Sequence, residues 1–516
     1  MFNNPTNPRL FLLIPLILYL FFAAGLIYVQ RPHEDEMIQS NVAVNLLRNG
    51  FMGIPQVKSV VPAEYNPWWK GLDKYYYGQP PLSIIAQACW FKLFGIGLFQ
   101  LRSLAVFWGL IGLFAWYIIL NKFNVDGQTS LFALVLISVD FIYTRFSASG
   151  RVFDIMCASL AFCSLAGYMA LRERSLPKAL LLSNTLIVMS GLTHPNGILG
   201  FAALLFLVLY HDIKKIKIKH ILISAIPYFI GALSWGWYIL KDLDAFYHQF
   251  FGIVFGLHYP TQSGFSITTI YNEIRWRYLF AYGLGSDFSV HSRALLFILV
   301  VYFFSFISLG YLILRKKDNY PSRMIFFLTA IYFFLLMFLS SHKWPTYLVH
   351  IVPIFAACVV IFRSRLKEKT IPRQIFTLAL IPVVMLSSGV NIYRFKRNEY
   401  HKKFLPDINK VLQILSPTDT INAPWETSFL LGFDRVVADH SLGYYSKQKT
   451  DVIIVDETYE KDFNNIRNNR PEIYSHIQFT LNNDYQLIYE GKLYKIYRKS
   501  EKTIKAKRIN KYDKKY

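Results

Sequence analysis

Charged residues are scarce in this 516-residue chain, and their scarcity excludes an ordinary water-soluble protein. Asp, Glu, Lys and Arg make up 17% of the residues, against about 25% in soluble domains. Hydrophobic residues make up 54%, aromatic residues 17%, and the mean hydropathy is +0.31. So few charges could not cover so much apolar surface in water, so the composition predicts a polytopic membrane protein.

Several signatures of soluble enzymes are also missing. The four cysteines lie in apolar segments without metal-ligand spacing or a disulfide framework, which indicates small core side chains. The sequence has no phosphate-cradling glycine loop, zinc-ligand spacing or nucleophile elbow. An activated donor is therefore not recognised through a nucleotide-binding motif. The chain shows no internal repeat, which weakens the case for a transporter built from inverted halves.

The apolar runs predict about eleven transmembrane helices. The first run, Leu10–Val29, has no charge and is long enough to cross about 30 Å of hydrocarbon. It lacks a strong basic segment and a cleavage site, so we interpret it as a retained helix rather than a signal peptide. The other predicted spans lie near 103–120, 129–146, 154–171, 179–193, 197–210, 221–240, 294–314, 324–341, 346–362 and 374–392.

The distribution of basic residues predicts how these helices are oriented. The formal net charge is +23, but the basic residues cluster between apolar runs, which is typical of membrane topology rather than nucleic-acid binding. With the N-terminus in the cytoplasm, five inside loops carry 17 Lys and Arg: 121–128, 172–178, 211–220, 315–323 and 363–373. The short outside loops carry only Arg151 and Lys343. A full crossing by 80–98 would reverse this asymmetry, so we predict a surface or re-entrant helix there.

This topology predicts a protein of the cytoplasmic (inner) membrane with three regions on its outer side. They are the first outer loop, 30–102, a second large loop, 241–292, and the chain after residue 392. Within the last region, DVIIVD (451–456) predicts a buried strand and 485–499 a hairpin turning at Glu490–Lys492. We therefore predict a transmembrane domain over 1–392, a small α/β domain over 393–499, and a basic, disordered tail over 500–516.

An acidic triplet opens the first outer loop. Glu34, Asp35 and Glu36 lie where the first helix leaves the bilayer, a costly place for acids that have no role or partner. The apolar residues that follow fit an amphipathic helix, which would hold an acid at its N-terminus against the membrane surface. A solvated acidic cap on the loop is the plainer interpretation.

Candidate residues also lie at the outer ends of later helices. Asp154, beside Arg151, could converge with the first acid on one site, or form a structural pair with Arg151. His342 and Lys343 could bind the phosphate of a lipid-linked donor, although an interfacial lysine would look the same. His194 has a helix-capping alternative. Arg275 and Arg277 could line the same phosphate site, but we favour interfacial anchoring for them. The aromatic residues around Trp68 and Tyr75–Tyr77 fit a membrane belt.

Six segments, in this order, resemble the GT-C glycosyltransferases, and most closely the bacterial relatives of dolichyl-phosphate-mannose protein mannosyltransferase and of lipid A aminoarabinose transferase. The resemblance covers about residues 10–360. The segments are DEMIQSNVAVNLLRNG (35–50), YYYGQPPLSIIAQACWFKLFG (75–95), FQLRSLAVFWGLIGL (99–113), GRVFDIM (150–156), GLTHPNG (191–197) and SHKWPTYLVHIVPIF (341–355).

The resemblance implies a GT-C fold and transfer of a sugar from a polyprenyl-phosphate donor to an acceptor on the outer side of the membrane. It implies that Asp35 is the catalytic base or organises the acceptor, that Asp154 is the second acid, and that His342 and Lys343 lie near the donor phosphate. One departure is Gln79, where the aminoarabinose-type enzymes have a lysine. A neutral residue at this position weakens the case for a contact between residue 79 and the donor phosphate, and for lipid A aminoarabinose as the product.

Around these residues we expect further contacts with substrate. Arg151 is expected at the donor phosphate, and five other residues are expected at the substrates: Glu36, Gln79, Tyr77, His194 and Tyr347. Asp35 and Asp154 could also hold a divalent metal ion, although no cofactor is certain. The expected partners are a polyprenyl-phosphate sugar, membrane lipid, and an acceptor that is a glycan, lipid A or a protein.

The chemistry supports this interpretation. An acceptor hydroxyl is a poor nucleophile and needs a carboxylate to take its proton. The leaving phosphate gains charge, so a cation should stabilise it, and attack from the opposite side predicts inversion. A transporter or flippase of lipid-linked sugars, or a non-catalytic membrane subunit, remains the alternative.

Overall fold

A computed structural model of the chain describes residues 12–58, 67–252, 266–285, 292–339, 343–366 and 370–500. Two of the features predicted above, His342 and the basic tail from residue 501 onward, lie outside these ranges.

Apolar helices dominate the chain up to residue 397. Their bounds are α1 Leu13–Val29, α2 Glu34–Asn49, α3 Leu82–Phe94, α4 Leu98–Lys122, α5 Gly127–Val139, α6 Phe141–Ser147, α7 Val152–Leu171, α8 Leu176–Gly191, α9 Gly197–Asp212, α10 Ile218–Ile239, α11 Leu243–Phe246, α12 Ile267–Asn272, α13 Leu296–Leu314, α14 Tyr320–Leu339, α15 Val352–Arg365 and α16 Ile371–Arg397. A π-helical segment, Glu273–Leu284, follows α12, and a 3-10 helix, Pro345–His350, precedes α15.

Within the described residues, seven helices are long and apolar enough to cross a membrane, or up to nine if each of two bent helix pairs is one span. Each of the eleven predicted spans overlaps a described helix. The span at 129–146 is divided into α5 and α6, which are bent by 62°. Those near 179–193 and 346–362 correspond to α8 and α15, which have only 16 and 14 residues. The α7 and α15 helices are buried on nearly every side, whereas α10 exposes most of its apolar surface. The first two are therefore central in the bundle, and α10 is peripheral.

The chain bends sharply where α1 ends, and this bend brings the acidic triplet to the end of the bundle. The axes of α1 and α2 differ by 88°. Pro32 and an extended His33 separate the two helices, and His33 forms a capping box with Glu36 that starts α2. The α3 helix packs on α2. It has 13 residues, so at about 1.5 Å per residue it is too short to cross the bilayer, as a surface or re-entrant helix should be.

After residue 397 the chain forms a small α/β region, as predicted. Its helices and strands are α17 Leu405–Ile414, β1 Ile421–Asn422, α18 Ser428–Leu431, β2 Val436–Val437, β3 Val452–Val455, α19 Glu457–Asn469, α20 Pro471–Phe479, β4 Tyr485–Glu490 and β5 Lys495–Lys499. The sheet order is β2-β1-β3-β5-β4, with β1 parallel to β2 and β3, and β5 antiparallel to β3 and β4. The predicted strand and hairpin are confirmed as β3 and β4–β5.

The α/β region docks on α2 and α3. Arg31 makes a bidentate salt bridge to Glu426, with an Nη2–Oε1 distance of 2.6 Å and an Nε–Oε2 distance of 2.8 Å. Arg48, near the end of α2, pairs with Asp434, and Phe91 of α3 packs edge-on against Phe429. This docking puts the α/β region directly beside the first turn of α2, where the acids lie.

Candidate functional site

Two of the predicted acids pair with the same guanidinium group at the end of the bundle where α2 begins. Asp35 lies in the first turn of α2, Asp154 in the first turn of α7, and Arg151 is the N-cap residue of α7. Arg151 Nη1 donates to Asp35 Oδ2, and Arg151 Nε lies 3.0 Å from Asp154 Oδ2. The structure therefore brings Asp35, Arg151 and Asp154 together, and we call them the acidic cluster.

The two carboxylates of the acidic cluster differ in their environment. The Asp35 side chain is 43% exposed, whereas that of Asp154 is 1% exposed. Burial raises the pKa of Asp35, but the Arg151 and His33 charges outweigh it, so the pKa lies below its ordinary value. Asp154 interacts with the Thr346 side chain as well as with Arg151. Asp35 is thus an ionised carboxylate that a substrate can reach, whereas Asp154 is buried beside Arg151.

Glu36 fixes the position of α2 relative to α7. Its carboxylate accepts from Arg102 Nη2 at 2.9 Å and from the Gly150 backbone N–H at 2.7 Å. A side chain at Gly150 would place its Cβ 3.0 Å from Glu36 Cβ and 2.4 Å from Leu101 Cδ2, so only glycine allows this approach. Both Glu36 oxygens are engaged. This geometry favours a positioning role for Glu36 over the direct substrate contact predicted from the sequence.

A second charged cluster is almost fully buried. Arg277 Nη1 donates to Glu273 Oε1 at 2.6 Å, and Lys343 Nζ lies 3.1 Å from Glu273 Oε2. The side chains of these three residues are at most 5% exposed. Burial lowers the pKa of Lys343 and outweighs the opposing effect of Glu273. We call Glu273, Arg277 and Lys343 the basic cluster because its formal charge is one positive unit.

Aromatic rings connect the two clusters. His194 stacks on Phe153 with ring centroids 5.5 Å apart and lies 5.3 Å from the ring of Tyr347. Arg151 lies over Phe153, and Arg277 lies 5.5 Å from the centroid of Tyr347. Sequence-predicted residues His194 and Tyr347 therefore lie between the acidic and the basic cluster.

The His194 ring is a neutral hydrogen-bonding group in this layer. Burial lowers its pKa well below the ordinary value, and the charges of His350 and Arg151 add to the effect. Its Nδ1 accepts from the Asn196 backbone N–H at 3.0 Å. The proton of the neutral ring therefore belongs on Nε2.

Tyr76, and not the predicted Tyr77, faces the acidic cluster. The Tyr77 hydroxyl donates to the Tyr238 carbonyl at 3.0 Å, which ties this loop to α10. Tyr76 is 5% exposed, and burial together with the Asp35 carboxylate raises its pKa. A side chain at Gly78 would meet the Tyr76 ring at 3.2 Å. Gln79 Oε1 is buried without a hydrogen-bond partner in the described part of the chain.

Sequence reasoning missed Glu273, Tyr76 and His350. A signal existed for Glu273, because it precedes Arg277 by four residues and so shares its helix face. Tyr76 could not be told from Tyr75 and Tyr77 by sequence. His350 is fully buried, and neither ring nitrogen has a hydrogen-bond partner among the described residues.

Comparison with solved structures identifies this architecture. The apo structure of ArnT from Cupriavidus metallidurans matches with a TM-score of 0.62 and 12% identity, covering 96% of this chain and 98% of that one. The same protein bound to undecaprenyl phosphate also matches with a TM-score of 0.62 and 12% identity, covering 95% and 97%. The chain shares the fold of ArnT. No family model matches the sequence, and no curated protein matches it significantly.

The shared fold of ArnT confirms the GT-C architecture that the resemblance implied. The match extends over nearly the whole chain, beyond residues 10–360, so it includes the C-terminal α/β region as well. At 12% identity the likeness shows the fold alone, and the chemistry must be argued from the side chains of this chain.

The residues of the acidic cluster do not fit a divalent metal ion. Arg151 already pairs with both Asp35 and Asp154, so an ion between the two acids would have to displace its guanidinium. Nowhere in the described ranges do three or more His, Cys, Asp or Glu side chains form a group suited to a metal. We therefore assign no step to a metal ion and give the role of counter-charge to Arg151.

Proposed function

We propose that this protein is a membrane glycosyltransferase that moves a sugar from a polyprenyl-phosphate donor to an acceptor on the outer face of the cytoplasmic membrane. The observation that carries the proposal is the pairing of an accessible, ionised Asp35 with a buried basic cluster, in a chain that shares the fold of ArnT. One ArnT structure was solved with undecaprenyl phosphate, and this supports the choice of lipid donor. The basic loops on the opposite ends of the helices support the outer location.

In this mechanism Asp35 is the general base. One of its carboxylate oxygens takes the proton of the acceptor hydroxyl while the hydroxyl oxygen attacks the anomeric carbon of the donor sugar. The bond between that carbon and the phosphate oxygen breaks, and the polyprenyl phosphate leaves with the electron pair. Because the nucleophile enters opposite the leaving group, the anomeric configuration inverts.

Arg151 and Asp154 position the base. Arg151 holds the Asp35 carboxylate by a charge-assisted hydrogen bond, and Asp154 fixes the guanidinium from the other side. Asp154 therefore acts through Arg151 and positions the base. This division of roles follows from the different exposure of the two acids.

The basic cluster binds the donor phosphate. Lys343 and Arg277 both contact the carboxylate of Glu273, so two cationic side chains lie together in a buried place. A buried cation stabilises the charge that develops on the leaving phosphate more strongly than a solvated one. Tyr347 and His194, between the clusters, are placed to contact the sugar that is transferred.

A donor panel tests the proposal. Purified full-length protein in detergent is incubated with radiolabelled polyprenyl-phosphate sugars, with and without membrane-glycan acceptors, and loss of label from the lipid is measured. The wild type should consume one donor, Asp35→Asn should not, and Asp73→Asn, a matched change in the same outer loop, should behave as wild type.

Two other results would contradict the transferase proposal. Donor binding without turnover under every acceptor condition would favour a transporter of lipid-linked sugars. Failure to bind any polyprenyl-phosphate sugar would exclude the proposed donor class.

A further inference from the structure

A cavity of about 370 Å³ lies between the α/β region and the start of α2. Residues 31–34 form one wall, His440 and residues 456–459 form the facing wall, and Arg145 and Glu399 complete it. The volume lies within the range of about 300 to 1,000 Å³ that is typical of small-molecule sites. The mechanism proposed above does not use this cavity.

The cavity adjoins the proposed base. Glu34 lines it, and the next residue, Asp35, points to Arg151, since successive helix residues are turned by about 100°. His33, another lining residue, places its Nδ1 3.7 Å from Asp35 Oδ2. Asp35 itself does not line the cavity, and His33 is the lining residue that lies next to its carboxylate.

The wall supplied by the α/β region is held rigidly. His440 Nδ1 lies 2.5 Å from Asp462 Oδ2, and the His440 ring lies 4.1 Å from the ring of Tyr459. The preceding residue, Asp439, accepts hydrogen bonds from the backbone N–H groups of Ser441 and Gly443. Such a wall is preorganised for a ligand, so little ordering is needed when the ligand binds.

The charges of the cavity disfavour an anion. Five carboxylates line it: Glu34, Glu399, Glu426, Asp456 and Glu457. Three Arg or Lys side chains and two histidines, His33 and His440, also line it. Arg31 is paired with Glu426, Lys461 with Glu457 and His440 with Asp462. Glu34 lines the cavity and has no ion pair within 4.0 Å and no side-chain hydrogen bond within the described ranges, and the His440 ring across the cavity attracts its charge.

We propose that this cavity binds the sugar acceptor of the reaction, and that the bound end of the acceptor is an unphosphorylated glycan unit bearing hydroxyl and amino groups. The polar side chains of the two walls offer hydrogen bonds to hydroxyl groups, and the Glu34 carboxylate offers a partner to an ammonium group. A phosphorylated end, such as that of a lipid A headgroup, would meet an excess of negative charge. The acceptor role rests on the proposed function, whereas the ligand chemistry does not.

A matched set of three small sugars tests the chemistry of the cavity. Binding of glucosamine, N-acetylglucosamine and glucosamine 6-phosphate to the full-length protein in detergent is measured by saturation-transfer NMR and competition. Glucosamine should bind most tightly, and glucosamine 6-phosphate should bind about tenfold more weakly, a change that one unfavourable charge contact can produce.

Variants connect the binding to Glu34. Glu34→Gln should weaken glucosamine binding about fivefold to tenfold and remove its advantage over N-acetylglucosamine. Glu472→Gln, an exposed change on α20 outside the cavity, should leave all three affinities as in wild type. The thermal unfolding midpoint of each variant shows that it is folded.

Three results would overturn the inference: no saturable glucosamine binding below about 10 mM, glucosamine 6-phosphate binding as tightly as glucosamine, or an equal effect of Glu34→Gln and Glu472→Gln. Donor turnover is measured on the same wild-type preparation. Turnover without glucosamine binding contradicts only the cavity assignment, and Glu34-dependent glucosamine binding without turnover contradicts only the transferase proposal.

Discussion

The acidic and the basic cluster use the same types of side chain in opposite proportion. In the acidic cluster two carboxylates share one guanidinium, and Asp35 remains 43% exposed. In the basic cluster two cations share Glu273, and all three side chains are buried. An exposed carboxylate can exchange protons with a substrate, whereas buried cationic side chains can bind an anion. In the proposed mechanism the acidic cluster is therefore the proton-accepting end of the site and the basic cluster is the phosphate-binding end.

Removing the shared cation of the acidic cluster should have the largest effect. Arg151→Met leaves Asp35 and the buried Asp154 without their counter-charge, and an uncompensated buried charge costs about 3–5 kcal/mol. We expect a lower thermal unfolding midpoint and loss of sugar transfer. The comparison variant is Arg467→Met on α19, which should change neither. An Arg151→Met protein as stable and active as wild type would contradict the role of Arg151 as counter-charge.

Glu36→Gln should damage the acidic cluster and spare the basic one. The substitution removes the ion pair between Glu36 and Arg102, but Arg102 keeps its hydrogen bonds to three backbone carbonyls. We therefore expect the free energy of unfolding to fall by about 3 kcal/mol, the low end of the range for a broken buried pair. Transfer should slow because α2 and Asp35 are no longer fixed against Gly150. Donor affinity, measured by competition with undecaprenyl phosphate, should be retained. A selective loss of donor affinity would show that Glu36 contacts substrate instead.

Lys343→Met should weaken donor binding at the basic cluster and leave the acidic cluster intact. Glu273 keeps its bond to Arg277, so the fold should tolerate the change, but the basic cluster loses one of its two cationic side chains. We expect the KM for the donor to rise about tenfold, the loss of one charge-assisted contact, with a smaller change in acceptor KM. Lys492→Met, an exposed change in the β4–β5 turn, is the control. An unchanged donor KM would remove the basic cluster from the phosphate site.

The smallest expected effect is the pH dependence of docking between the α/β region and α2. Burial in the cavity raises the pKa of Glu34 from 4.5 to about 7, and the nearby carboxylates of Asp35, Asp462 and Asp456 add to this against His440. The folded protein thus holds this proton more tightly than the unfolded chain, so ionisation of Glu34 costs stability as the pH rises from about 4.5 to about 7.

Glu34→Gln removes this cost. The atoms around Glu34 raise its pKa, but its side chain still has exposed surface. Because solvent screens its charge, we expect a gain of at most about 1 kcal/mol, or about 2 °C, in the unfolding midpoint at pH 7.5 relative to wild type. At pH 4.5 the two proteins should unfold together. The pKa of His440 is also raised, because Asp462 and Glu34 outweigh its burial, so its stabilising charge is lost as the pH rises above about 6.5 in wild type. A wild-type midpoint that rises relative to Glu34→Gln above pH 7 would contradict the buried-acid account.

Local sequence patterns were enough to predict the helices and the acidic cluster. Apolar runs fix helix positions because a bilayer demands about 20 apolar residues per span. Asp35 and Asp154 were recognisable since acids at helix ends near a bilayer are costly. The angle of the bend between α1 and α2 was not predicted, although Pro32 and the capping residues His33 and Glu36 indicate locally that the first helix ends there and a second one begins.

The contacts between distant segments were not predictable in the same way. Glu273 meets Lys343 across about 70 residues, and Arg31 meets Glu426 across almost 400, so no periodicity or spacing records either pair. Tyr76 rather than Tyr77 faces Asp35 because Gly78 lets the Tyr76 ring fold over the backbone, a detail of packing. The cavity exists only because the α/β region docks on α2, and its chemistry could not be read from either segment alone.

A single-turnover measurement tests the central claim most directly. With the donor identified, the rate of sugar transfer at saturating donor and acceptor is compared for wild type, Asp35→Asn and Asp73→Asn by rapid quench, and donor affinity is measured separately. Loss of a general base should slow Asp35→Asn by about 10²–10⁴-fold while its donor affinity stays within about twofold, and Asp73→Asn should match wild type. An Asp35→Asn protein that transfers sugar at the wild-type rate would contradict the account.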